Sequence, residues 1–302
     1  MYIGADFLID RDLNLYLSEV NIGVPAGAQE YDFVYREKFG EPSGVFRYIE
    51  SLSLRYTGKN FFKYIHELPY MDDLRALKIW MDGEGPLPKK PAKALRLEDK
   101  WIQYLILSDA YPMIPTELFR HRKSKDAVES LFKKIPIVFK KRFGRGGRGF
   151  LLIKDLDELK KVNLIENVYI MQPYLESSIG SHKLSIRAAA FMGHFVCMFA
   201  SLNPKLTSNH GIRFFISPGD GFKITNEDFT VREIVQKSWE ADIFYKGNIP
   251  DYLYHDVYEE TIAGAELIIP ERLYRNIQRI SASISQRYKD IDFDALPKSF
   301  IE

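Results

Sequence analysis

A glycine-rich segment between two apolar runs is the feature that most limits how this chain can fold. The segment is Gly144-Arg145-Gly146-Gly147-Arg148-Gly149, and the runs at 135–139 and 150–153 on either side of it are predicted strands. The glycines satisfy G-x-G-x-x-G, but the dinucleotide-binding form of that motif requires a helix directly after the loop. No Gly-Lys-Ser/Thr closes the loop as in a P-loop. The sequence therefore argues against both nucleotide-binding loops and indicates a strand–loop–strand unit.

Such a loop has more than one interpretation. It can be a flap whose backbone N–H groups bind a triphosphate, or a mobile hairpin tip with solvated charges. A third interpretation takes Arg-Gly-Gly as an RNA-binding motif, but the chain has one copy and a formal net charge of only +1. The loop alone does not decide between the first two. The basic residues that would suit phosphate binding are Lys140, Lys141, Arg142, Arg145 and Arg148.

Composition narrows the class of protein. Forty-two Lys and Arg against 41 Asp and Glu give no global field for nucleic acid or anionic lipid, and a single cysteine excludes a disulfide framework or a Cys-rich zinc module. The N-terminal residues are acidic, unlike a secretory signal, and no apolar run reaches the roughly 20 residues that cross a bilayer. We therefore expect a cytoplasmic protein without a membrane partner.

The first 21 residues predict a hairpin that ends in oxygen-bearing side chains. Apolar residues alternate along 2–9, and the residues at 10–14 supply a turn. We expect Asp6 opposite Ser18 or Glu19, with Asn21 on the same face as Glu19. Carboxylate and amide oxygens suit Mg²⁺, whereas the alternative is a sheet edge with scattered polar residues.

The remaining sequence predicts a mixed α+β chain with several antiparallel hairpins. Residues 22–97 are interrupted by prolines and predict turns with a possible strand at 77–81. No histidine spacing suggests a metal site, and no nucleophile motif is present, so any chemistry would rest on a bound cofactor or nucleotide. The other predicted elements are helices at 98–108, 125–133, from Asp155 onward and at 273–288, a strand at 168–171, and a hairpin of strands 184–191 and 195–202.

Several short segments follow one another in a characteristic order. They are Glu-Asp-Lys-Trp (98–101), Ile-Pro-Thr-Glu (114–117), Pro-Ile-Val-Phe-Lys (136–140), the glycine-rich loop, Met-Gln-Pro-Tyr-Leu (171–175), Leu-Ser-Ile-Arg (184–187) and Ser-Asn-His-Gly (208–211). Together they resemble the ATP-grasp family, in which two α+β lobes hold ATP between two sheets. The resemblance covers roughly two thirds of the chain.

The order of the last elements differs from that family. ATP-grasp proteins normally end with a helix, an Asp-bearing strand and a Glu-x-Asn strand, but here the helix stops near Asp290 and the two strands lie at 2–21. The sequence thus resembles a circularly permuted ATP-grasp protein: a two-lobed α+β fold with ATP between two mostly antiparallel sheets. The implied units are the hairpin 1–21 of the C-terminal lobe, a connecting or substrate-side region 22–97, the N-lobe 98–172, and the C-lobe 173–302 with an insert at 230–262.

The resemblance also implies a set of site residues. Lys140 and Arg187 would be catalytic, Glu176 would reach the ribose, and the backbone at 172–175 would contact adenine. The family's usual acidic residue in that segment is replaced by Pro173, and no arginine follows Glu-x-Asn closely; Arg36 is a substitute or an ordinary surface residue. The implied ATP-binding residues are Lys100, Lys140, Gly146, Gly147, Gln172, Tyr174, Leu175, Glu176 and Asn209, and the implied Mg²⁺ ligands are Asp6, Glu19 and Asn21.

The resemblance implies a ligase that uses ATP and Mg²⁺ to join a carboxylate to an amine through an acyl phosphate. Its partners would be ATP and a carboxylate-bearing small molecule or peptide, read by residues 22–97 and 230–262. Two alternatives belong to other classes: a non-catalytic or phosphotransferase ATP-grasp module, and a nucleic-acid-binding protein that uses the basic residues at 133–148. The sequence does not reveal the acceptor or the oligomeric state.

Overall fold

The structure is a computed structural model that describes residues 1–23, 27–81, 85–86, 91–120, 136–144, 149–179, 182–203, 212–225, 231–236 and 258–301. Within these residues the chain is an α+β protein with two sheets, and most neighbouring strands run antiparallel. No helix in these ranges is both long enough and apolar enough to cross a membrane. The helix predicted at 125–133 lies outside the described residues.

The strands account for both sheets. The larger sheet has the order β11-β13-β10-β9-β8-β1-β2, with β12 paired to β13 and β7 paired to β8, and the smaller has the order β3-β6-β4-β5. The pair β10–β13 is parallel. In chain order the strands are β1 (Tyr2–Ile9), β2 (Leu15–Ile22), β3 (Glu117–Leu118), β4 (Ile137–Lys141), β5 (Leu151–Ile153), β6 (Tyr169–Pro173), β7 (Ser178–Ile179), β8 (His182–Phe191), β9 (His194–Asn203), β10 (Ile212–Gly219), β11 (Lys223–Ile224), β12 (Val231–Gln236) and β13 (Tyr258–Pro270).

The helices pack mainly against the larger sheet. The last helix carries a buried apolar stripe at helical spacing, contacts β1, β8 and β9, and begins directly after Pro270, as the sequence predicts. In chain order the helices are α1 (Ala28–Phe39), α2 (Val45–Thr57), α3 (Phe61–His66), α4 (Met71–Met81), α5 (Lys100–Leu107), α6 (Leu156–Lys160) and α7 (Glu271–Lys289), with a 3₁₀ helix at Lys93–Glu98.

The strand predicted at 77–81 is wrong, because these residues form the last turns of α4. Leu77 alternates with Ile79 and Met81, which mimics a strand when only five residues are read. The longer window shows Met71, Leu74 and Leu77 buried three residues apart, which is the spacing of one helix face. Tertiary packing of that face against the main core decides the conformation.

The hairpin β8–β9 is closed by a tight turn. Met192 and Gly193 form its two-residue turn, and both have positive φ, of 50° and 83°. Two such residues are characteristic of a type I′ turn, which matches the twist of the flanking strands. A Cβ at Gly193 would also lie 2.7 Å from Oε1 of Gln286 on α7, but this atom is the end of a flexible side chain, so the positive φ is the stronger reason for glycine at this position.

The first strand begins beside the end of α7. The hydroxyl of Ser285 donates a hydrogen bond to the carbonyl oxygen of Met1 at 2.8 Å. From that point β1 enters the larger sheet between β8 and β2, with Tyr2 opposite Phe191 and Ile3 opposite Ile22. The chain therefore places the predicted N-terminal hairpin in the same sheet as the strands β8 to β10.

The smaller sheet has a core of its own, built by one face of each strand. Ile137 and Phe139 of β4 point into this core with Met171 of β6 and Phe119. Because side chains alternate along a strand, Val138 and Lys140 project from the opposite face. That face turns toward the larger sheet.

Candidate functional site

A cavity of about 350 Å³ lies between the two sheets. Strands β1, β2, β8, β9 and β10 supply one wall, and β4, Phe150, the end of β6 and the segment after it supply the other. The cavity brings together predicted site residues that are far apart in sequence. Those that line it are Asp6, Glu19, Lys100, Lys140, Gln172, Tyr174, Leu175 and Arg187.

The register of three strands builds the acidic part of the cavity. Asp6 lies opposite Glu19 on one side and opposite Arg187 on the other. A bulge between Asp6 and Phe7 removes Ser18 from the pairing, which selects the second of the two registers that the sequence allows. Arg187 holds Asp6 in a bidentate ion pair, with Nε 2.6 Å from Oδ1 and one terminal nitrogen 2.5 Å from Oδ2.

Lys100 connects the acidic part to the glycine-rich loop. It is the first residue of α5, after the N-cap Asp99, which accepts a hydrogen bond from the backbone N–H of Trp101. Its Nζ donates to the carbonyl oxygen of Gly144 at 2.6 Å and lies 3.4 Å from Oε2 of Glu19. The lysine is therefore placed between the start of the loop and the carboxylates.

Lys140 enters the cavity from the smaller sheet. Its position follows from strand alternation, and its Nζ lies 3.2 Å from the hydroxyl oxygen of Ser18. Burial lowers the pKa of Lys140 to about 8, although the nearby Glu19 carboxylate acts in the opposite direction. Because burial removes the hydration of the ammonium group, an anion beside this lysine would stabilise its charged form.

The two facing carboxylates have different proton affinities. Burial raises the pKa of Asp6, and the charge of Glu19 adds to this effect while Arg187 opposes it. Burial would also raise the pKa of Glu19, but neighbouring cations outweigh it and hold this pKa at about 2. The cations are Lys100, Lys140 and Arg187. Glu19 is thus the carboxylate most firmly held in its charged form.

The end of β6 and the segment after it form one end of the cavity. Nε2 of Gln172 donates to the hydroxyl of Thr116 at 2.8 Å, while its Oε1 is buried without a hydrogen-bond partner. The N–H of Tyr174 donates to the carbonyl oxygen of Pro136 at 2.8 Å, so Tyr174 lines the cavity through its other atoms. An unpartnered buried amide oxygen is costly, and an N–H donor from a ligand would satisfy it.

Five predicted site residues are not among those that line the cavity: two lie elsewhere in the structure, and three fall outside the described residues. Glu176 does not line the cavity. Its side chain is 46% exposed and forms an ion pair with Arg11 at 2.7 Å, so it is not positioned to contact a ribose in the cavity. Asn21 lies two positions after Glu19 and is buried, but it is not among the residues that line the cavity. Its Nδ2 has no hydrogen-bond partner. Gly146, Gly147 and Asn209 lie outside the described residues.

Two carboxylates of the cavity are the residues that could hold a divalent cation. In the described part of the chain, no group of three His, Cys, Asp or Glu residues could hold a metal ion. Asp6 and Glu19 nevertheless face each other, and Mg²⁺ is usually bound by one or two carboxylates together with substrate phosphates. Asn21 does not complete this set, because it does not line the cavity and its unpartnered atom is Nδ2, an N–H donor that does not ligate a cation.

Arg142 is a correction to the basic residues proposed to bind phosphate. Its side chain is 4% exposed, pairs with Asp99, and donates to the carbonyl oxygen of Asn167 at 3.0 Å. Because these groups occupy its guanidinium, Arg142 serves the packing of α5 against β4. Phosphate or nucleic acid would have to displace a buried ion pair to reach it.

Comparison of the chain with models of known protein families and with curated proteins found no match. The interpretation of the cavity therefore rests on its residues and their arrangement.

The residues that line the cavity without having been predicted include four polar or charged ones: Glu30, Lys183, Ser185 and Arg213. Lys183 and Ser185 could have been found, because they lie four and two positions before Arg187 and must share its face of β8. Burial lowers the pKa of Lys183, whose Nζ lies 4.8 Å from the ring centroid of Phe150. No comparable pattern in the sequence marks Glu30, because it reaches the cavity from α1 and not from β8.

The cavity is strongly electropositive. Six cationic and three anionic side chains line it among the described residues, which leaves three positive charges in excess. A low-dielectric cleft focuses such a charge, so an anionic ligand is favoured. The cations are Lys100, Lys140, Lys141, Lys183, Arg187 and Arg213, and the anions are Asp6, Glu19 and Glu30.

Proposed function

We propose that this protein is an ATP- and Mg²⁺-dependent ligase on a circularly permuted ATP-grasp fold, joining a carboxylate to an amine through an acyl phosphate with release of ADP and phosphate. The observation that carries the proposal is the convergence of residues from distant segments on one cavity between two sheets. Asp6, Lys100, Lys140 and Arg187 are separated by up to 181 positions, yet all line it. The ATP-grasp pattern requires this convergence, whereas a hairpin tip with solvated charges does not.

The permutation is supported by the neighbours of β1. Met1, the residue directly before β1, accepts a hydrogen bond from Ser285 near the end of α7, and the strand then pairs with β8 and β2. Following α7 with β1 and β2 restores the usual order of helix, Asp-bearing strand and Glu-x-Asn strand. The contacts of a sheet do not depend on where the chain is cut, so such a rearrangement is physically permissible.

The charge of the cavity supports an acidic substrate beside ATP. ATP carries about four negative charges, and one Mg²⁺ between its phosphates neutralises about two of them. The described cavity residues carry three positive charges in excess, which leaves about one for another anion. A carboxylate is such an anion. A carboxylate is also a poor electrophile at neutral pH, so an amine attacks it readily only after a phosphoryl group has been transferred to it.

In this proposal the chain's own residues position and neutralise the reacting groups. Lys140 and Arg187 approach the phosphates from opposite sheets and stabilise charge on the transferring phosphoryl oxygens. Lys100 holds Gly144 at the start of the glycine-rich loop and places a positive charge beside Glu19. Mg²⁺, held at Asp6 and Glu19, would supply further charge neutralisation. Attack by the carboxylate on the γ-phosphorus releases ADP, and attack by the amine on the acyl carbon releases phosphate.

The first test is nucleotide binding measured by thermal shift, with and without Mg²⁺. A ligand that binds only the native state at a hundred times its Kd stabilises it by about 2.7 kcal/mol. We expect millimolar MgATP to raise the Tm of the wild type by several degrees. Lys140→Ala and Glu19→Ala should each lose most of this shift, since one removes a phosphate cation and the other a metal ligand.

Two surface variants control for non-specific effects of charge. Lys160→Ala and Glu67→Ala change the same residue types at exposed positions outside the cavity and should keep the full shift. The absence of any Mg²⁺-dependent shift in the wild type would overturn the ATP-site proposal. Salt-sensitive binding of polynucleotide in that case would favour the nucleic-acid alternative.

A second test uses the proton affinity of Lys140. Its pKa of about 8 means that the free protein holds this lysine charged below pH 8 and increasingly neutral above it. Because phosphate needs the charged form, binding above pH 8 requires proton uptake, and affinity should fall by up to about tenfold per pH unit. Calorimetric titration with MgATP between pH 7 and 9.5 measures this dependence.

Lys140→Arg is the matched control, because arginine stays charged throughout this range. We expect a flatter pH profile for this variant. An equally steep decline would assign the titration to another group, of which Lys183 is the nearest candidate by its lowered pKa.

A further inference from the structure

The exposed face of α7 carries a row of arginines. Arg272, Arg275, Arg279 and Arg287 are all exposed, and their spacing of three, four and eight positions keeps them on the side of the helix opposite its buried stripe. At the rise of an α-helix, the row extends over roughly 22 Å. No residue of α7 lines the cavity between the two sheets, so this row belongs to a separate surface.

Little negative charge balances the arginine row. Glu271 is the only acidic residue within the helix, and it pairs with Arg275 at 2.5 Å. The C-cap residue Asp290 accepts a hydrogen bond from Gln286. The guanidinium groups of the other three arginines form no ion pair or hydrogen bond within the described residues. Like charges three and four positions apart repel each other along a helix, and a bound polyanion would remove that repulsion.

An aromatic groove lies at the C-terminal end of the row. Its volume is about 540 Å³, and its lining includes Arg287 and Ser283 of α7 together with Tyr56, Tyr111 and His194. The hydroxyl oxygen of Tyr56 lies 2.6 Å from Nε2 of His194, and the two ring centroids are 5.1 Å apart. The hydroxyl oxygens of Tyr111 and Ser283 are 2.8 Å apart. Because Tyr56 is 40% exposed, an aromatic surface is accessible beside the last arginine of the row.

The combination of the arginine row and the aromatic groove discriminates between anionic partners. Among the described residues, no exposed large apolar side chain lies on α7, so the row has nothing to insert into a bilayer. A run of acidic side chains supplies carboxylates for the arginines but no rings for the groove. Single-stranded nucleic acid supplies both phosphates and unpaired bases. Arg55 adds a cation at the groove, with its guanidinium carbon 5.4 Å from the ring centroid of Tyr56.

We infer that the arginine row of α7 and the aromatic groove bind single-stranded nucleic acid, with phosphates along the arginines and an unpaired base beside Tyr56. A duplex fits this surface less well, because its bases are paired and stacked within it. The formal net charge of +1 gives no long-range attraction, so binding depends on this local cluster of charge. The inference does not rest on the proposed ligase activity, because the groove and the row share no residue with the cavity.

The test measures the fluorescence anisotropy of a labelled oligo(dT) strand titrated with the full chain at several salt concentrations. We expect binding at low salt, with the logarithm of the binding constant falling against the logarithm of salt concentration with a slope of about −3, or about −0.7 for each of four neutralised phosphates. Arg279→Gln and Arg287→Gln should each reduce the size of this slope by about 0.7. Neither arginine has a partner to lose, so the Tm of each variant should be no lower than that of the wild type.

Variants of Tyr56 test the contact with the base. Tyr56→Ala should weaken binding of oligo(dT) about tenfold without changing the salt slope, whereas Tyr56→Phe keeps the ring and should retain most of the affinity. A duplex of the same length should bind about tenfold more weakly than the single strand. Arg11→Gln is the matched control, because Arg11 is exposed on the turn between β1 and β2 and should not affect the slope.

Three results would overturn the inference. The first is the absence of binding at low salt. The second is a salt slope that Arg279→Gln and Arg287→Gln leave unchanged, which would assign binding to another basic region, such as residues 133–148. The third is equally tight binding of a duplex, of poly-glutamate or of phosphatidylserine vesicles, which would make the row a general surface for polyanions. None of these results bears on the proposed ATP site.

Discussion

Replacing Arg187 with methionine is expected to lower the rate of ADP formation by about a thousandfold, because an arginine at a transferring phosphoryl group contributes on the order of 10³ or more to the rate. Arg187 is suited to this role because Asp6 holds its guanidinium at 2.6 and 2.5 Å from the two carboxylate oxygens. A preorganised charge does not have to reorient during the reaction. The measurement is a coupled assay of ADP release with a substrate pair found by screening.

The variant needs controls because it also leaves Asp6 without its partner. Arg187→Lys keeps one charge but loses the bidentate geometry, and it should retain an intermediate rate. The double variant Asp6→Asn/Arg187→Met removes the uncompensated carboxylate, so it should recover stability without recovering the rate. A rate for Arg187→Met within threefold of the wild type would exclude Arg187 from phosphoryl transfer.

Elements with strong periodicity could be predicted from the sequence. The hairpins β1–β2 and β8–β9 and the helix α7 carry apolar residues at strand or helix spacing, and their buried faces match those patterns. The register at Asp6 was narrowed to two choices but not decided, because the bulge after Asp6 depends on pairing with both neighbouring strands. A single strand does not contain that information.

The region 22–97 was harder to predict, because its apolar residues are shared among short helices separated by glycine and proline. In α1 the buried set includes Glu30 and Asp32, so the pattern lacks the apolar stripe that marks a helix. These residues are buried because they are hydrogen-bonded: Glu30 caps its own helix, and Asp32 accepts from Ser43 and Arg36. The structural role of Arg142 was also hard to predict, because it depends on a polar partner distant in sequence, Asp99, forty-three positions earlier.

Replacing Asp99 with alanine is expected to lower the free energy of unfolding by about 3–5 kcal/mol, the usual result of removing one member of a buried ion pair. Asp99 is fully buried and accepts from Nε of Arg142 at 2.8 Å and from one of its terminal nitrogens at 2.5 Å. It also accepts from Ser299 at 2.7 Å and caps α5 through Trp101. Denaturant unfolding of wild type and variant measures the difference.

Two further variants separate the ion pair from the other contacts of Asp99. Ser299→Ala removes one neutral donor and should cost about 1 kcal/mol, while Asp99→Ala/Arg142→Met removes the stranded charge and should recover part of the loss. A loss below 1 kcal/mol in Asp99→Ala would show that water or another acceptor compensates Arg142. The Asp99–Arg142 ion pair also helps to position Lys100 in the cavity, because the N–H of Lys100 donates to the carbonyl oxygen of Arg142 at 3.0 Å. Asp99→Ala should therefore weaken MgATP binding as well, through displacement of Lys100 from Gly144 and Glu19.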